Sequence, residues 1–168
     1  VKVVISTKKW VSLSIFIAVL IIFLSPVQVI EISGNRTVLI PVSDHRKFEI
    51  SFIHSVELCR WIEIYEVREG KIHLIKTLTR SAGWGLPSTG NFSFEVINGE
   101  EWMVYYLDRE FDDIPISTDP VNDYTLTVGD TVLKLASLGK RIDIKIVAIP
   151  SIQYWGWKAD QYWWRGDH

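Results

Sequence analysis

Three lysines, Lys2, Lys8 and Lys9, precede an apolar run that begins at Trp10, reaches Leu24 and continues past Ser25 and Pro26 to Ile30. No other feature constrains the chain as strongly, because a segment without a polar side needs apolar surroundings on every side. Taken as one helix, the 21 residues from 10 to 30 would be roughly 31 Å long. That is about the thickness of a bilayer's hydrocarbon core. The 15 residues from 10 to 24 also have the length of the apolar part of a secretory signal. The small residues of a cleavage site are missing, however: Phe23 lies two positions before Ser25, and Glu31 two positions before Ser33. Residues 1–30 therefore read as an uncleaved signal-anchor rather than a removed signal. The lysines hold the N-terminus in the cytoplasm by the positive-inside rule. The expectation is a single-pass protein of the cell membrane with residues 31–168 on the extracytoplasmic side.

Charge narrows what that outer part can do. All 20 acidic residues lie beyond Ile30, against 15 of the 18 basic ones, a formal charge of −5. A nucleic-acid surface would show a basic stripe instead. The outer 138 residues suffice for one domain with a buried core. Cys59 is the sole cysteine, so no internal disulfide forms, and it reads as a small half-buried apolar residue. Two N-x-[ST] triplets, Asn35-Arg36-Thr37 and Asn91-Phe92-Ser93, are glycan acceptors if the cell glycosylates exported proteins.

Beyond the anchor the pattern is that of strands and turns. Lys47-Phe48-Glu49-Ile50-Ser51-Phe52 alternates strictly, as a half-buried strand does. A second strand spans 61–67 and ends at the turn Glu69-Gly70. A third spans 71–79, with Ile72, Leu74 and Leu78 assigned to one face. Asn98-Gly99 between the runs 92–97 and 101–106 is a strong hairpin signal, and Gly129-Asp130 between 124–128 and 131–135 marks another. Gly139-Lys140 leads into a last alternating run, 141–147. No stretch outside the anchor sustains a helical apolar period. Eight or so short strands predict an all-β domain over 31–149, a small antiparallel β-sandwich or barrel, preceded by one N-terminal transmembrane helix. The tail 150–168 holds Trp155, Trp157, Trp163, Trp164, Tyr154 and Tyr162. These rings either cover an open end of the sheet or seat in the lipid headgroup zone.

The most pointed polar feature is His54-Ser55-Val56-Glu57, at the end of the first clear strand. If residues 56–59 form a four-residue hairpin loop, His54 lies opposite Trp61, Phe52 opposite Glu63, Ile50 opposite Tyr65 and Phe48 opposite Val67. His54 and Glu63 are then the polar members of an apolar face, diagonal neighbours about 7–8 Å apart. A carboxylate on such a face needs a donor, and a protonated His54 supplies one. The pair either pins the register or joins Ser55 and Glu57 in a pocket for a small polar ligand or a metal. One histidine and two carboxylates carry no diagnostic metal spacing. Ser55 and His54 are adjacent in a strand and face opposite ways, which argues against a nucleophilic triad. No catalytic residue or cofactor is expected, and hydrolase activity is the least supported reading. The second feature is Ser81-Ala82-Gly83-Trp84-Gly85-Leu86-Pro87. Gly83 and Gly85 allow close backbone approach, but the pattern is not a phosphate loop. Trp84 reads as a plug for the core ahead of a ligand platform. Asp112, Asp113, Asp119 and Asp123 match no EF-hand spacing and read as a solvated acidic stretch.

At these motifs the chain resembles the bacterial and archaeal domain of unknown function numbered 1850. The resemblance runs from about residue 48 to 147. It rests on His54-Ser55-Val56-Glu57, on Glu63, on Gly83, Gly85, Leu86 and Pro87, and on Leu126-Thr127-Val128-Gly129. Members are small and often begin with one hydrophobic segment. The resemblance implies no established activity. It does imply a gene neighbourhood of TAXI-type TRAP transporters, and so an accessory role in solute uptake with TRAP transporter subunits as partners. Trp84 stands where the family often has a small residue, and the aromatic tail looks like an addition.

Overall fold

The computed structural model describes residues 7–81 and 92–165. They fall into two compact units, one of residues 28–147 and one made of the chain's two ends, 1–27 and 148–168. In the unit of the two ends, helix α1 spans Thr7–Leu24 and helix α2 spans Ser151–Arg165. The apolar run is thus not one helix to Ile30. Pro26 lacks the N–H that would continue the helical ladder, and the β-branched Val27, Val29 and Ile30 that follow belong to a strand. No helix among the described residues is long and apolar enough to cross a membrane. The helical α2 is a second departure from expectation. Among its described aromatics, Tyr154 is buried and Trp155 is exposed, so these lie on different sides.

The strands are β1 (Pro26–Ser33), β2 (Thr37–Pro41), β3 (Lys47–Ile53), β4 (Arg60–Arg68), β5 (Lys71–Thr79), β6 (Phe92–Ile97), β7 (Glu100–Phe111), β8 (Asp113–Ser117), β9 (Thr125–Val128), β10 (Thr131–Lys134) and β11 (Arg141–Pro150). They form two sheets, a four-stranded one in the order β2-β1-β11-β8 and a seven-stranded one in the order β10-β9-β3-β4-β5-β7-β6. Between the sheets lies the main core. Ile30, Ile32, Ile40, Ile142 and Ile144 from the smaller sheet meet Phe48, Ile50, Tyr65, Val67, Ile72, Leu74, Leu126 and Val128 from the larger. Two sheets packed face to face make a sandwich, which resolves the choice left open between sandwich and barrel.

Turn chemistry sets the hairpins where the sequence placed them. Glu69 and Gly70 have φ of 52° and 78°, and Asn98 and Gly99 have φ of 55° and 81°. Positive φ at both central residues is the turn geometry that matches the strand twist. One assignment is corrected inside β5. Tyr65 pairs with Leu74 but Ile64 pairs with Lys76, so the register shifts at Ile75. This bulge reverses the alternation after it. Ile72 and Leu74 face the main core, whereas Leu78 turns to the opposite face. There it joins Trp102 and Val104 in a second cluster, with Ile62, Ile64 and Ile97 packed against it. The acidic stretch is dispersed. Asp119 caps a short 3-10 turn, Asp123 pairs with Lys134, and Asp112 with Lys71.

Candidate functional site

Strands β3 and β4 build the site. Phe48 pairs with Tyr65, Ile50 with Glu63 and Phe52 with Trp61. The register therefore differs by two residues from the expected one. His54 N donates to Cys59 O at 2.9 Å and Leu58 N to His54 O at 2.8 Å, so the loop closes at His54 and Cys59 rather than one step later. A two-residue shift keeps every side chain on its face. Phe48, Ile50, Phe52, Trp61, Glu63, Tyr65 and Val67 still share one surface, but His54 no longer stands diagonal to Glu63. Those two form no ion pair.

His54 instead stacks on Trp61, with ring centroids 5.4 Å apart and planes 27° apart. Trp61 stacks on Phe52 at 6.2 Å, and Phe52 on Tyr124 at 4.8 Å. The result is a ladder of four half-buried rings across the sheet, from the start of β9 through β3 and β4 to the loop. Ring pairs of this kind add roughly 0.5–1.5 kcal/mol each beyond their burial. The Asn122 amide donates to Ile53 O at 2.8 Å and fixes the 3-10 turn to the end of β3.

Glu63 lies beside this ladder, and its partner is Tyr65, whose hydroxyl donates to Glu63 Oε2 at 2.7 Å. Burial pushes the Glu63 carboxyl above its ordinary value, opposed by the Tyr65 hydroxyl and, less, by the nearby Trp61 indole N–H. That N–H reaches no acceptor in good hydrogen-bonding geometry and is buried. Burial and then the Glu63 charge raise the Tyr65 hydroxyl, and the same two causes raise Tyr124. Glu63 is thus a carboxyl that keeps its proton to a higher pH than an ordinary one, placed among rings.

The loop and the end of β5 supply the remaining polar groups. Glu57 N approaches His54 Nδ1 at 3.4 Å, and the Ser81 hydroxyl donates to Glu57 Oε2 at 2.7 Å. Cys59 Sγ lies 3.7 Å from Thr79 Oγ1. Thr77 and Thr79, opposite Glu63 and Trp61 on β5, are buried. Ser55 is exposed in the turn. The arrangement therefore gathers His54 and Glu57 at the loop and sets Glu63 apart from them, along β4. Among the described residues no group of three histidine, cysteine or carboxylate side chains is arranged to hold a metal ion. Gly83 and Gly85, with Trp84 between them, lie outside the described residues. Tyr65 and Tyr124 are the site residues that sequence reasoning missed. The two-residue spacing of Glu63 and Tyr65 on one strand was the available signal for the first.

A family model described as "Domain of unknown function (DUF1850)" matches residues 48–135. The match begins inside β3 and ends just after β10, so it takes in nearly all of the seven-stranded sheet and the ring ladder. No curated protein and no solved structure matches the chain.

Proposed function

The chain belongs to the DUF1850 family, and on that footing we propose that it is a membrane-tethered, non-enzymatic accessory module of a TRAP-type solute transporter, with its β-sandwich on the extracytoplasmic side. The observation that carries this reading is the edge strand β6, inside the family region. Phe92, Phe94 and Val96 point to one face and remain 47, 63 and 75 % exposed. No strand among the described residues pairs with the outer side of β6, and an edge with exposed aromatic residues is a surface for pairing with another protein chain. The tether is α1. Its apolar residues are exposed all along it, Phe16 by 64 % and Ile22 by 67 % for example, and a patch of that kind needs lipid or protein to cover it. The transporter partner follows from the gene neighbourhood that the family resemblance implies. Full-length protein, solubilised by detergent from its own membranes, is expected to co-purify with TRAP subunits. Phe94→Ser should reduce that recovery several-fold without altering the melting temperature. Absence of TRAP subunits from the purified material would overturn the reading.

A second reading has its own observation in the unpartnered Trp61 N–H beside Glu63 and the half-buried rings. In it, His54, Glu57 and Glu63 flank a site for a small polar ligand. Ligand at 100 times its dissociation constant stabilises the folded state by about 2.7 kcal/mol. A screen of small organic acids and divalent metals should then show a rise in melting temperature that His54→Ala or Glu63→Ala abolishes. A flat screen would leave these residues with a structural role.

A further inference from the structure

Helix α2 begins where α1 ends, and a set of hydrogen bonds joins them. The last carbonyls of a helix have no partners within it. In α1, Ile21 O accepts Ser25 N at 2.9 Å, and Ile22 O accepts the Ser25 hydroxyl at 2.7 Å. Ser151, the first residue of α2 and buried, completes the set. Its N–H donates to Ser25 O at 2.9 Å, and its hydroxyl lies 2.6 Å from Ile22 O and 3.0 Å from Ser25 O. The start of α2 is thereby pinned to the C-terminal end of an apolar helix.

The two sides of α2 differ. Tyr154 is buried and stacks on the half-buried Trp157, with ring centroids 6.2 Å apart. On another side, Ile152, Trp155 and Ala159 follow one another at i, i+3 and i+7, the spacing of one helical face. Ile152 is 52 % and Trp155 58 % exposed, and Ala159 is exposed as well. Lys158 borders this face, its Nζ 5.0 Å from the centre of the Trp155 ring.

We propose that α2 lies in the lipid headgroup layer, with Ile152, Trp155 and Ala159 turned toward the acyl chains and Lys158 toward the phosphates. The inference rests on the reading that α1 is held in a membrane. Three observations select lipid over a second protein chain. The helix that carries the exposed face is pinned by the Ser25–Ser151 junction to the end of an apolar helix. Its largest member is tryptophan, whose amphipathic ring favours the boundary between water and hydrocarbon. Among the described side chains of α2 this face comprises three, two of them about half exposed, well short of the roughly 800 Å² per partner that a stable protein interface buries.

Site-directed spin labelling of the full chain in vesicles of phosphatidylcholine and phosphatidylglycerol tests this. Cys59→Ser removes the sole native thiol, and single cysteines are then introduced as Ala159→Cys, Asp160→Cys and Ser14→Cys. Asp160 sits about 100° around the helix from Ala159, and Ser14 lies within α1. The expected result is a label at 159 that collides several-fold more with oxygen than with a water-soluble nickel chelate. The label at 160 should show the reverse preference, and the label at 14 the strongest preference for oxygen. If 159 and 160 are equally open to the nickel chelate while 14 remains in lipid, the inference about α2 is overturned and the tether stands. A label at 14 that is open to the nickel chelate would overturn the tether, and this inference with it.

Discussion

Replacing Leu126 with alanine lowers the stability of the sandwich by about 2–5 kcal/mol, the cost of a cavity in a close-packed core. Leu126 is fully buried on β9, paired with Ile50 of β3 and packed among residues of both sheets. For a domain of this size the melting temperature should fall on the order of 10 °C. Val132→Ala is the matched control: it lies on the neighbouring β10 but is 64 % exposed, and its effect should stay within about 0.5 kcal/mol. Thermal and denaturant unfolding of both variants decides the matter. The result also bears on the stretch Leu126-Thr127-Val128-Gly129, which the structure divides between two tasks. Leu126 and Val128 are core residues, while Gly129 turns the chain with φ of +57°. A fall no larger than that of Val132→Ala would mean that β9 does not sit between the sheets as described.

The second large effect depends on pH. The Glu63 carboxyl titrates above its ordinary value of 4.5 because burial disfavours its charged form. Below 4.5 the folded and unfolded chains both carry the proton, and the buried neutral acid costs nothing extra. As the pH rises the unfolded chain gives up its proton first. Stability is then lost until the folded-state carboxyl has also ionised. Glu63→Gln keeps an oxygen for the Tyr65 hydroxyl but cannot ionise. It should match the native protein at about pH 4 and melt at a higher temperature near pH 7. Tyr65→Phe should do the opposite. Without the hydroxyl at 2.7 Å, the buried carboxylate loses a hydrogen bond to a charged group, worth about 1.5–3 kcal/mol. In the Glu63→Gln background the same change should cost only about 1 kcal/mol, the value of a neutral bond. Melting curves of the native protein and Glu63→Gln that run parallel across this range would show that Glu63 is solvated and the linkage absent.

Much of the larger sheet was legible because its signals are local. Alternation in β3 and β4, and the Glu69-Gly70 and Asn98-Gly99 turns, each depend on a few consecutive residues. Strands β1 and β8 were not legible, for different reasons. The first residues of β1 continue the apolar run of α1 without a polar break. Strand β8 is five residues long, contains Pro115 and lies at a sheet edge, where proline is tolerated but the strand signal is weak. The core face of the candidate site was read correctly, because a two-residue error in register preserves the face. The partner of Glu63 was not, because a loop displaced by one residue set His54 opposite Cys59, away from Glu63, and left the carboxyl to Tyr65. The stacking of Tyr124 on Phe52 joins residues far apart in sequence and depends on the pairing of β3 with β9, which no local pattern announces.

The bulge at Ile75 has a consequence for how the chain tolerates length changes. Strand β5 contributes to the main core through Ile72 and Leu74, and to the opposite cluster through Leu78, within a single run of nine residues. Deleting Ile75 would restore regular alternation and leave every later residue on its present face, because the bulge already supplies the extra step. Thr77 and Thr79 would stay opposite Glu63 and Trp61, and Leu78 would stay with Ile62 on the other face. The extra residue at 75 is therefore a phase shift written into the strand. It lets one continuous sheet present an apolar surface to its twin sheet at one end and a polar one at the other.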